Sequence, residues 1–256
     1  MKLNGNTILI TGGSAGIGLA LAKEFAKLGN KIVITGRNPD KLANAVKSIG
    51  EGCSSIICDA SDPKAVSTLG KEIAKDHPDV NVLINNAGTF IAGDLSKGAD
   101  DLHQLNTEIT LNFSGVVWTT SALIDQLRKN TGTIINVTSG LAFVPFPLSP
   151  IYCATKAAIH SYTISLRSQL EDKGVEVIEL APPAVKTELT ADMPDTNDFP
   201  MLTTDELVSQ TIAGLRKGVE EICPGQAKQL RFMSRLAPGF INRQLGNAAK
   251  KMMSDA

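Results

Sequence analysis

Tyr152 and Lys156, in the segment YCATK, place a phenol and an ammonium group four positions apart. Ser149 and Pro150 are the residue types expected at the N-cap and the first position of a helix, and Gly174 is a typical helix end. On such a helix Tyr152 and Lys156 share a face. A phenol ordinarily has a pKa of about 10, and a nearby ammonium group and a helix N-terminus both favour its ionised form. The pair alone is weak evidence, because Tyr and Lys at this spacing occur by chance on many helices.

A glycine-rich segment, ITGGSAGIG at residues 10–18, joins a strand-like run to a helix-like run. Its GxxxGxG spacing differs from the GxGxxG dinucleotide fingerprint but suits the same tasks: a tight turn, close backbone approach to a pyrophosphate, and anion binding at a helix N-terminus. A flexible turn is the alternative, although the flanking strand and helix favour nucleotide binding. The predicted cofactor-binding positions here are Gly12, Ser14, Gly16, Ile17 and Gly18.

The residues after the second and third strand-like runs predict which nucleotide binds. An acidic residue after the second strand would bind the ribose 2′-hydroxyl of NAD, but this sequence has Arg37 there. A guanidinium pairs with a 2′-phosphate, so NADP is expected in preference to NAD, with a solvated loop charge as the alternative. Asp59, followed by Ala60, is placed to accept a hydrogen bond from the adenine amino group, or alternatively only to cap a turn.

The elements that must position these residues follow from an alternating pattern. Short β-rich runs, predicted as strands, alternate with longer amphipathic runs, predicted as helices. The strands cover 7–11, 31–36, 54–58, 81–85, 132–139 and 175–180, and the helices include 18–29 and 63–76. Because parallel strands need crossover connections and bury both faces, this predicts an α/β doubly wound parallel sheet of about seven strands with helices on both sides. No linker or repeat divides residues 1–256, so a single domain is expected.

Composition excludes several classes of function. The formal net charge of -1 provides no basic field for nucleic acid. No apolar run is long enough for a membrane span and the N-terminus has no signal-peptide pattern, so a cytoplasmic protein is expected. Reduced thiols and no metal site are expected, because the cysteines lack metal-ligand spacing and are not clustered with the histidines. These cysteines are Cys53, Cys58, Cys153 and Cys223.

Motifs in a characteristic order give the chain a resemblance to the short-chain dehydrogenase/reductase family. They are TGGSAGIG, NNAG at 85–88, Asn112 in TLNFSG, Ser139 in NVTSG, and YCATK, and the resemblance covers nearly all of residues 5–190. Within the family, ITGGSAGIGL, TSGLAF, YCATKAA and VEVIELAPPAV resemble the branch found with operons for D-alanylation of teichoic acid. The resemblance implies a Rossmann fold, hydride transfer between NADPH and a carbonyl or secondary-alcohol substrate, and a homodimer or homotetramer.

The resemblance also implies roles for individual residues. Tyr152 would protonate the carbonyl oxygen, Ser139 would polarise and orient it, and Lys156 would hold the nicotinamide ribose. Asn112 would anchor a water that relays protons through Lys156. Each residue has a structural alternative, but all four at family spacing favour catalysis. Further cofactor contacts are implied for Asn86, Ala87, Gly88, Val185 and Thr187, although Pro183 stands where the family usually has Gly and alters the local backbone.

The apolar loop between Ser139 and Tyr152 is predicted to wall a substrate pocket, with core packing as an equal alternative; its members are Leu141, Phe143, Val144 and Phe146. His160, one turn beyond Lys156, is expected to pack in a helix interface rather than to catalyse. Residues 188–226 are predicted to be a substrate loop or lid region.

The C-terminal segment 227–256 is predicted to be a basic amphipathic tail. Residues 227–252 contain six basic residues and no acidic one, interleaved with apolar residues. Packing on its own domain or on a second subunit is favoured, and contact with anionic lipid is the alternative.

Two classes of function remain open: an NADPH-dependent carbonyl reductase, and a non-catalytic dinucleotide-binding redox sensor or scaffold. A sensor needs the glycine turn but has no use for an acid beside the nicotinamide. The complete set Asn112, Ser139, Tyr152 and Lys156 therefore favours the enzyme.

Overall fold

A computed structural model of the protein describes residues 1–93, 95–98, 102–191 and 200–254. One parallel sheet contains the strands β1 (Thr7–Thr11), β2 (Lys31–Gly36), β3 (Cys53–Ile57), β4 (Val80–Asn85), β5 (Thr133–Val137), β6 (Glu176–Leu180) and β7 (Glu221–Ile222). Their order across the sheet is β3-β2-β1-β4-β5-β6-β7. The helices are α1 (Gly16–Lys27), α2 (Pro39–Ile49), α3 (Pro63–Asp76), α4 (Leu102–Glu108), α5 (Gly115–Lys129), α6 (Pro150–Leu170), α7 (Thr204–Arg216), α8 (Gln226–Leu236) and α9 (Pro238–Ser254). The predicted doubly wound α/β fold is confirmed.

Side-chain alternation along the central strands feeds two cores, one on each face of the sheet. On β1, Ile8 and Ile10 join a core with α1, α2 and α7, whereas Leu9 joins the opposite core with α3, α5 and α6. All three side chains are fully buried. Burial on both faces explains why the strands read as continuous apolar runs rather than as alternating apolar and polar residues.

Local sequence determines where the helices begin and end. The Asp62 carboxylate accepts a hydrogen bond from the Lys64 backbone N–H at 2.9 Å and so caps α3. Helix α6 begins at Pro150 and passes through a short 3₁₀ turn to Gly174, whose φ of 71° is left-handed. Ser149 occupies the N-cap position, but its hydroxyl lies 3.8 Å from Cys153 Sγ and does not bond the first helical amides.

The order of the sheet reverses between β1 and β4, which are neighbours in space. Ligands of doubly wound sheets bind at the carboxyl ends of the strands beside such a reversal. The glycine-rich turn follows β1 there, Asn86 follows β4, and Ser139 lies two residues beyond the end of β5. The topology therefore brings the predicted site residues to one edge of the sheet.

The region predicted as a substrate loop, 188–226, includes α7 and β7, and its part in substrate binding stays a prediction. Helix α7 buries Leu207, Ile212 and Leu215, and β7 extends the sheet beyond β6. Residues 192–199 of the predicted loop lie outside the described residues.

The tail predicted over 227–256 forms α8 and α9 as far as Ser254, and residues 255–256 lie outside the described residues. Ile241, Leu245 and Ala249 are buried and pack with Val144 and Phe146 in an apolar cluster. The tail therefore packs on its own domain, the interpretation that the sequence favoured. Among the helices of the described residues, none combines the length and apolar character needed to cross a bilayer.

Candidate active site

A cavity of about 720 Å³ lies at the carboxyl edge of the sheet. Most of the predicted site residues line it: Gly12, Ser14, Gly16, Ile17, Arg37, Asp59, Ala60, Asn86, Ala87, Gly88, Ser139, Leu141, Tyr152, Lys156, Val185 and Thr187. Four predicted residues lie outside its lining: Gly18, Asn112, Phe143 and Val144.

The glycine turn forms a cradle that larger residues would fill. Gly12 has a φ of 64°, and a Cβ there would lie 2.9 Å from Ala87 Cα. A Cβ at Gly18 would lie 2.5 Å from both Asn86 Nδ2 and the Gly12 carbonyl oxygen. Gly18 therefore allows α1 to pack against the turn, and its direct contact with a cofactor stays a prediction.

The N-terminus of α1 opens into this cradle. Ala15 occupies the N-cap and offers no side-chain hydrogen bond, and the first turn carries no acidic residue. The leading amide N–H groups of a helix lack intrahelical partners and attract anions. A bound pyrophosphate fits these features, so the residues present suit a dinucleotide.

Asn86 and Thr11 hold the turn in place. Asn86 Nδ2 donates to the Thr11 carbonyl at 2.9 Å and to the Gly12 carbonyl at 3.2 Å. The Thr11 hydroxyl accepts from the backbone N–H groups of Asn86 and Ala87, both at 3.0 Å. The residues after β4 thus fix the residues after β1, which keeps the cradle open.

The end of the cavity beyond β2 carries two positive side chains. Arg37 is exposed and lines the cavity, as does Lys41 in the first turn of α2. Lys41 Nζ forms an ion pair with Glu188 at 2.6 Å, so α2 contacts the segment that follows β6. The sequence analysis missed Lys41, although its place four residues after Arg37 was a usable signal.

Asp59 caps the turn after β3, and its contact with the adenine stays a prediction. Its Oδ1 accepts hydrogen bonds from the Ser61 backbone N–H at 2.9 Å and from the Ser61 hydroxyl at 2.6 Å, which caps the turn. The same residue lines the cavity together with Ala60.

Tyr152 and Lys156 lie together on α6, facing the cavity. Lys156 Nζ is 5.6 Å from the centre of the Tyr152 ring and donates to the Val137 carbonyl at 2.9 Å. Burial lowers the pKa of Lys156 to about 8. Burial also raises the pKa of Tyr152 to about 12, and the hydrogen bond with Ser139 opposes that rise. The sequence predicted a lowered phenol pKa; in the protein alone, loss of hydration outweighs the hydrogen bond with Ser139 and raises the pKa.

Ser139 is placed by the short turn that follows β5. It caps a 3₁₀ turn at residues 140–142, where its Oγ accepts from the Leu141 backbone N–H at 3.1 Å. Gly140 N donates to the Pro182 carbonyl at 2.7 Å, which ties this turn to the segment after β6. The Ser139 hydroxyl therefore lies at the cavity wall beside Tyr152.

Asn112 stands one layer behind the cavity wall. It is fully buried in a π-helical segment, Ile109–Ser114. Its side chain bonds the backbone N–H and carbonyl of Thr89, at 2.8 and 2.9 Å, and the Thr155 hydroxyl at 3.2 Å. A Cβ at Gly88 would lie 3.1 Å from Asn112 Oδ1 and 3.6 Å from Lys156 Nζ. Asn112 thus adjoins the lysine site without lining the cavity, because its side chain is committed to holding the loop after β4.

The apolar wall differs from the predicted one. Leu141 and Phe146 line the cavity, but Phe143 and Val144 do not. Val144 is fully buried, and Phe143 instead packs edge-on against His160 with the Arg231 guanidinium 4.8 Å from its ring centre. These two residues therefore contact neighbouring protein side chains, and a part for them in a substrate pocket stays a prediction. Wall residues that the sequence analysis missed include Phe90, Leu230, Leu245 and Met252.

The segment after β6 reaches the cavity despite its two consecutive prolines. Val185 pairs with Leu202 in a parallel bridge, supported by hydrogen bonds from Lys186 N to the Leu202 carbonyl at 2.9 Å and from Leu202 N to the Ala184 carbonyl at 3.0 Å. Thr187 lines the cavity beside Val185. Pro183 is therefore accommodated before the paired backbone begins.

His160 belongs to a polar cluster outside the cavity lining. Its Nδ1 lies 2.7 Å from Glu179 Oε2, and the other carboxylate oxygen of Glu179 accepts from the Thr138 hydroxyl at 2.6 Å. Glu221 lies close by but forms an ion pair with Arg231 at 2.8 Å. The acids thus have partners within the protein, and His160 packs between elements as expected.

A nucleotide cradle with Tyr, Lys and Ser at its inner end defines a dinucleotide-dependent oxidoreductase. The family model for short chain dehydrogenases matches residues 6–198. The chain is 41% identical over 238 residues to the uncharacterized oxidoreductase DltE of Bacillus subtilis (strain 168), covering 92% of this chain and 94% of that one. It belongs to the short-chain dehydrogenase/reductase family and is similar to DltE within it, so the predicted resemblance is confirmed.

Solved structures agree with this family and its fold. A short chain dehydrogenase from Burkholderia cenocepacia J2315 in complex with NADP has a TM-score of 0.85 and 25% identity, covering 96% of this chain and 99% of that chain. The 3-ketoacyl-(acyl-carrier-protein) reductase from Brucella melitensis, complexed with NADH, has a TM-score of 0.77 and 28% identity, covering 84% and 91%. Neighbours thus bind either nicotinamide nucleotide.

Proposed function

We propose that the protein reduces a carbonyl compound to an alcohol with NADPH, a reaction that is reversible in principle. The observation that carries this proposal is the convergence of Tyr152, Ser139 and Lys156 on the cavity that also contains the glycine cradle. A binding module for nucleotides would need only the cradle. A phenol, a hydroxyl and an ammonium group at the inner end suit proton transfer to a carbonyl oxygen.

The chain's own residues supply the proton chemistry. Bound NADPH would deliver a hydride to the carbonyl carbon and become oxidised. Tyr152 holds a proton at Oη at neutral pH, because burial raises its pKa to about 12, and passes it to the carbonyl oxygen. Ser139 orients that oxygen and stabilises the phenolate left behind. The Lys156 ammonium favours the same phenolate, and its pKa of about 8 lets it exchange a proton near neutral pH.

Asn112 acts in this scheme as a positioning residue. Its three hydrogen bonds join the loop after β4 to Thr155 on α6. Because Thr155 precedes Lys156, these bonds help set the position of the ammonium group. A water relay through Asn112 and Lys156 remains part of the proposal, supported by their shared closeness to Gly88.

NADP is proposed as the preferred nucleotide. Arg37 and Lys41 both line the cavity beyond β2, where an NAD-binding protein would place an acid on the ribose. Two cations suit a 2′-phosphate, and charge-assisted bonds to phosphate are stronger than neutral ones. Phosphate binding would compete with Glu188 for Lys41, because these two residues are paired at 2.6 Å.

The protein is further proposed to act as a homo-oligomer in the cytoplasm. Oligomers are common in the family, and Ile164 on α6 is 44% exposed, an apolar side chain available for contact with a second copy. The four cysteines all lie within the described residues and are free thiols, as suits a reducing compartment.

A substrate screen tests the proposal. Purified protein is mixed with NADPH and a panel of aldehydes and ketones, and the absorbance of the reduced nicotinamide is followed over time. Turnover of at least one carbonyl is expected, and Ser139→Ala should lower it without weakening nucleotide binding, because Ser139 acts on the carbonyl oxygen. Tight nucleotide binding without oxidation of NADPH by any carbonyl would favour the sensor or scaffold function instead.

A further inference from the structure

A second cavity, of about 880 Å³, lies between α8 and α9 in the C-terminal tail. Most of its lining residues are apolar, and the larger of these are Leu230, Phe232, Met233, Phe240, Ile241 and Leu245. We call this cavity the α8–α9 groove. Phe232 and Phe240 are 62% and 63% exposed at its rim, and large exposed apolar side chains in such a cluster commonly mark a binding surface.

The lining residues run along both helices rather than around a point. On α8 they include Gln226, Leu230 and Met233, and on α9 they include Ile241, Leu245 and Ala248. Both sets have the i, i+4, i+7 spacing of one helix face, which spans roughly 10 Å along the axis. The groove is therefore elongated.

The α8–α9 groove adjoins the active-site cavity. Gln226, Leu230 and Leu245 line both spaces. A Cβ at Gly140 would lie 3.1 Å from Leu230 Cδ1, so α8 sits directly against the residue that follows Ser139. Met233 and Leu230 pack against the same apolar cluster as Tyr152. The groove thus adjoins the reacting end of the cavity rather than the nucleotide end.

We propose that the substrate is an aldehyde or ketone with a long unbranched aliphatic chain, and that the α8–α9 groove holds this chain while the carbonyl group lies beside Tyr152 and Ser139. The inference rests on the proposed reductase function and names the class of its substrate. A chain in this position would cover Leu230, Leu245 and the exposed faces of Phe232 and Phe240 at once. The residues shared by the two linings favour a substrate chain over a second protein copy, because a chain could extend from Ser139 past Leu230 into the groove.

The groove sets the expected dependence on chain length. Burial of each methylene group should raise kcat/KM by about fourfold. An extended chain advances roughly 1.3 Å per carbon, so a groove of roughly 10 Å accepts roughly eight methylene groups. The gain should level off beyond that length.

The test compares a groove-filling variant with a matched control. Ala248→Phe places a ring in the groove, and Asn247→Phe places the same ring at the adjacent exposed position, which is not part of the lining. For the wild type we measure the ratio of kcat/KM for decanal to that for butanal. Ala248→Phe should lower this ratio by at least about tenfold, whereas Asn247→Phe should leave it unchanged. Circular dichroism and melting temperatures of both variants check that the fold is retained.

Direct binding gives a second readout that needs no turnover. Calorimetric titration of the full-length protein with decan-1-ol should show saturable binding that Ala248→Phe weakens and Asn247→Phe does not. The absence of decan-1-ol binding would overturn the inference. A dimer in light scattering, together with no binding of decan-1-ol in the titration, would indicate that a second copy occupies the groove and would also overturn the inference.

The failure of this inference can be told apart from failure of the proposed function. Turnover of butanal and decanal with equal kcat/KM would overturn the chain-binding groove while leaving the reductase intact. A preference for decanal that survives in Ala248→Phe would place the chain elsewhere and also overturn it. Binding of decan-1-ol in the groove without turnover of any carbonyl would instead contradict the reductase.

Discussion

Replacement of Lys156 by methionine should stabilise the fold while damaging the site. Lys156 is 4% exposed, and burial lowers its pKa from 10.5 to about 8. That difference means that the charged side chain costs about 3 kcal/mol of folding free energy at pH 7. Lys156→Met removes this cost but also loses the hydrogen bond to the Val137 carbonyl, which contributes about 1 kcal/mol. The variant should therefore be more stable than the wild type by about 2 kcal/mol at pH 7.

The pH dependence of this difference identifies its cause. Between about pH 8 and pH 10.5 the unfolded chain holds a proton on Lys156 that the folded protein has released. The stability contribution of this residue in the wild type therefore rises with pH across that window. The advantage of Lys156→Met should shrink by about 2 to 3 kcal/mol between pH 7 and pH 10. Tyr152, with its pKa raised to about 12, stays protonated at pH 10, so the difference between the two proteins reports mainly the lysine.

The assay is urea unfolding of both proteins at pH 7 and pH 10, followed by circular dichroism. Lys47→Met, at an exposed position on α2, is the control for adding a methionine and removing a positive charge, and it should give a small difference at both pH values. The reasoning is refuted if Lys156→Met is no more stable than the wild type at pH 7. It is also refuted if the difference between them does not change with pH.

Three further predictions concern the nucleotide, the pH profile and the tail. Arg37→Asp should reduce the preference for NADPH over NADH by roughly tenfold to a hundredfold in fluorescence titrations, because one charge-assisted pair with phosphate is lost; equal wild-type affinities for the two nucleotides would exclude a role for Arg37. Carbonyl reduction should slow as pH rises through about 8, where Lys156 loses its proton and no longer favours the phenolate of Tyr152; a rate that stays constant to pH 10 would contradict this. Removal of residues 227–256 should lower the melting temperature, because Ile241, Leu245 and Ala249 leave the cluster around Phe146; vesicle co-sedimentation should stay near zero with and without the tail, and strong salt-sensitive vesicle binding lost on truncation would support the lipid alternative.

Local sequence patterns were sufficient to predict the main elements of the candidate active site. The glycine turn and the Tyr152–Lys156 spacing each lie within one turn or helix, so their geometry follows from a short segment. The order of strands then brings Ser139 to the same edge, because parallel strands end together.

Features that depend on contacts between distant segments could not be predicted. Leu141 faces the cavity while Phe143 faces His160. These directions depend on a single 3₁₀ turn that packs against α8. Leu230 and Leu245 line the active-site cavity although they lie far from Tyr152 in the sequence, and no local sequence pattern predicts this contact. The rise in the pKa of Tyr152 has the same origin, because burial is the sum of contributions from several elements.

The central claim is that Tyr152 is the proton donor in a hydride-transfer site. Its most direct test compares single-turnover reduction by the wild type and by Tyr152→Phe. Each protein is premixed with saturating NADPH and then with a carbonyl substrate from the screen, and NADPH affinity is measured separately by fluorescence. The variant keeps the ring that packs against Phe90, with ring centres 5.1 Å apart, so the fold should be retained. The rate should fall by about 10²- to 10⁴-fold with NADPH affinity little changed, the loss typical of a missing general acid. A variant that retains most of the wild-type rate would show that the Tyr152 hydroxyl is not the donor and would contradict the mechanism.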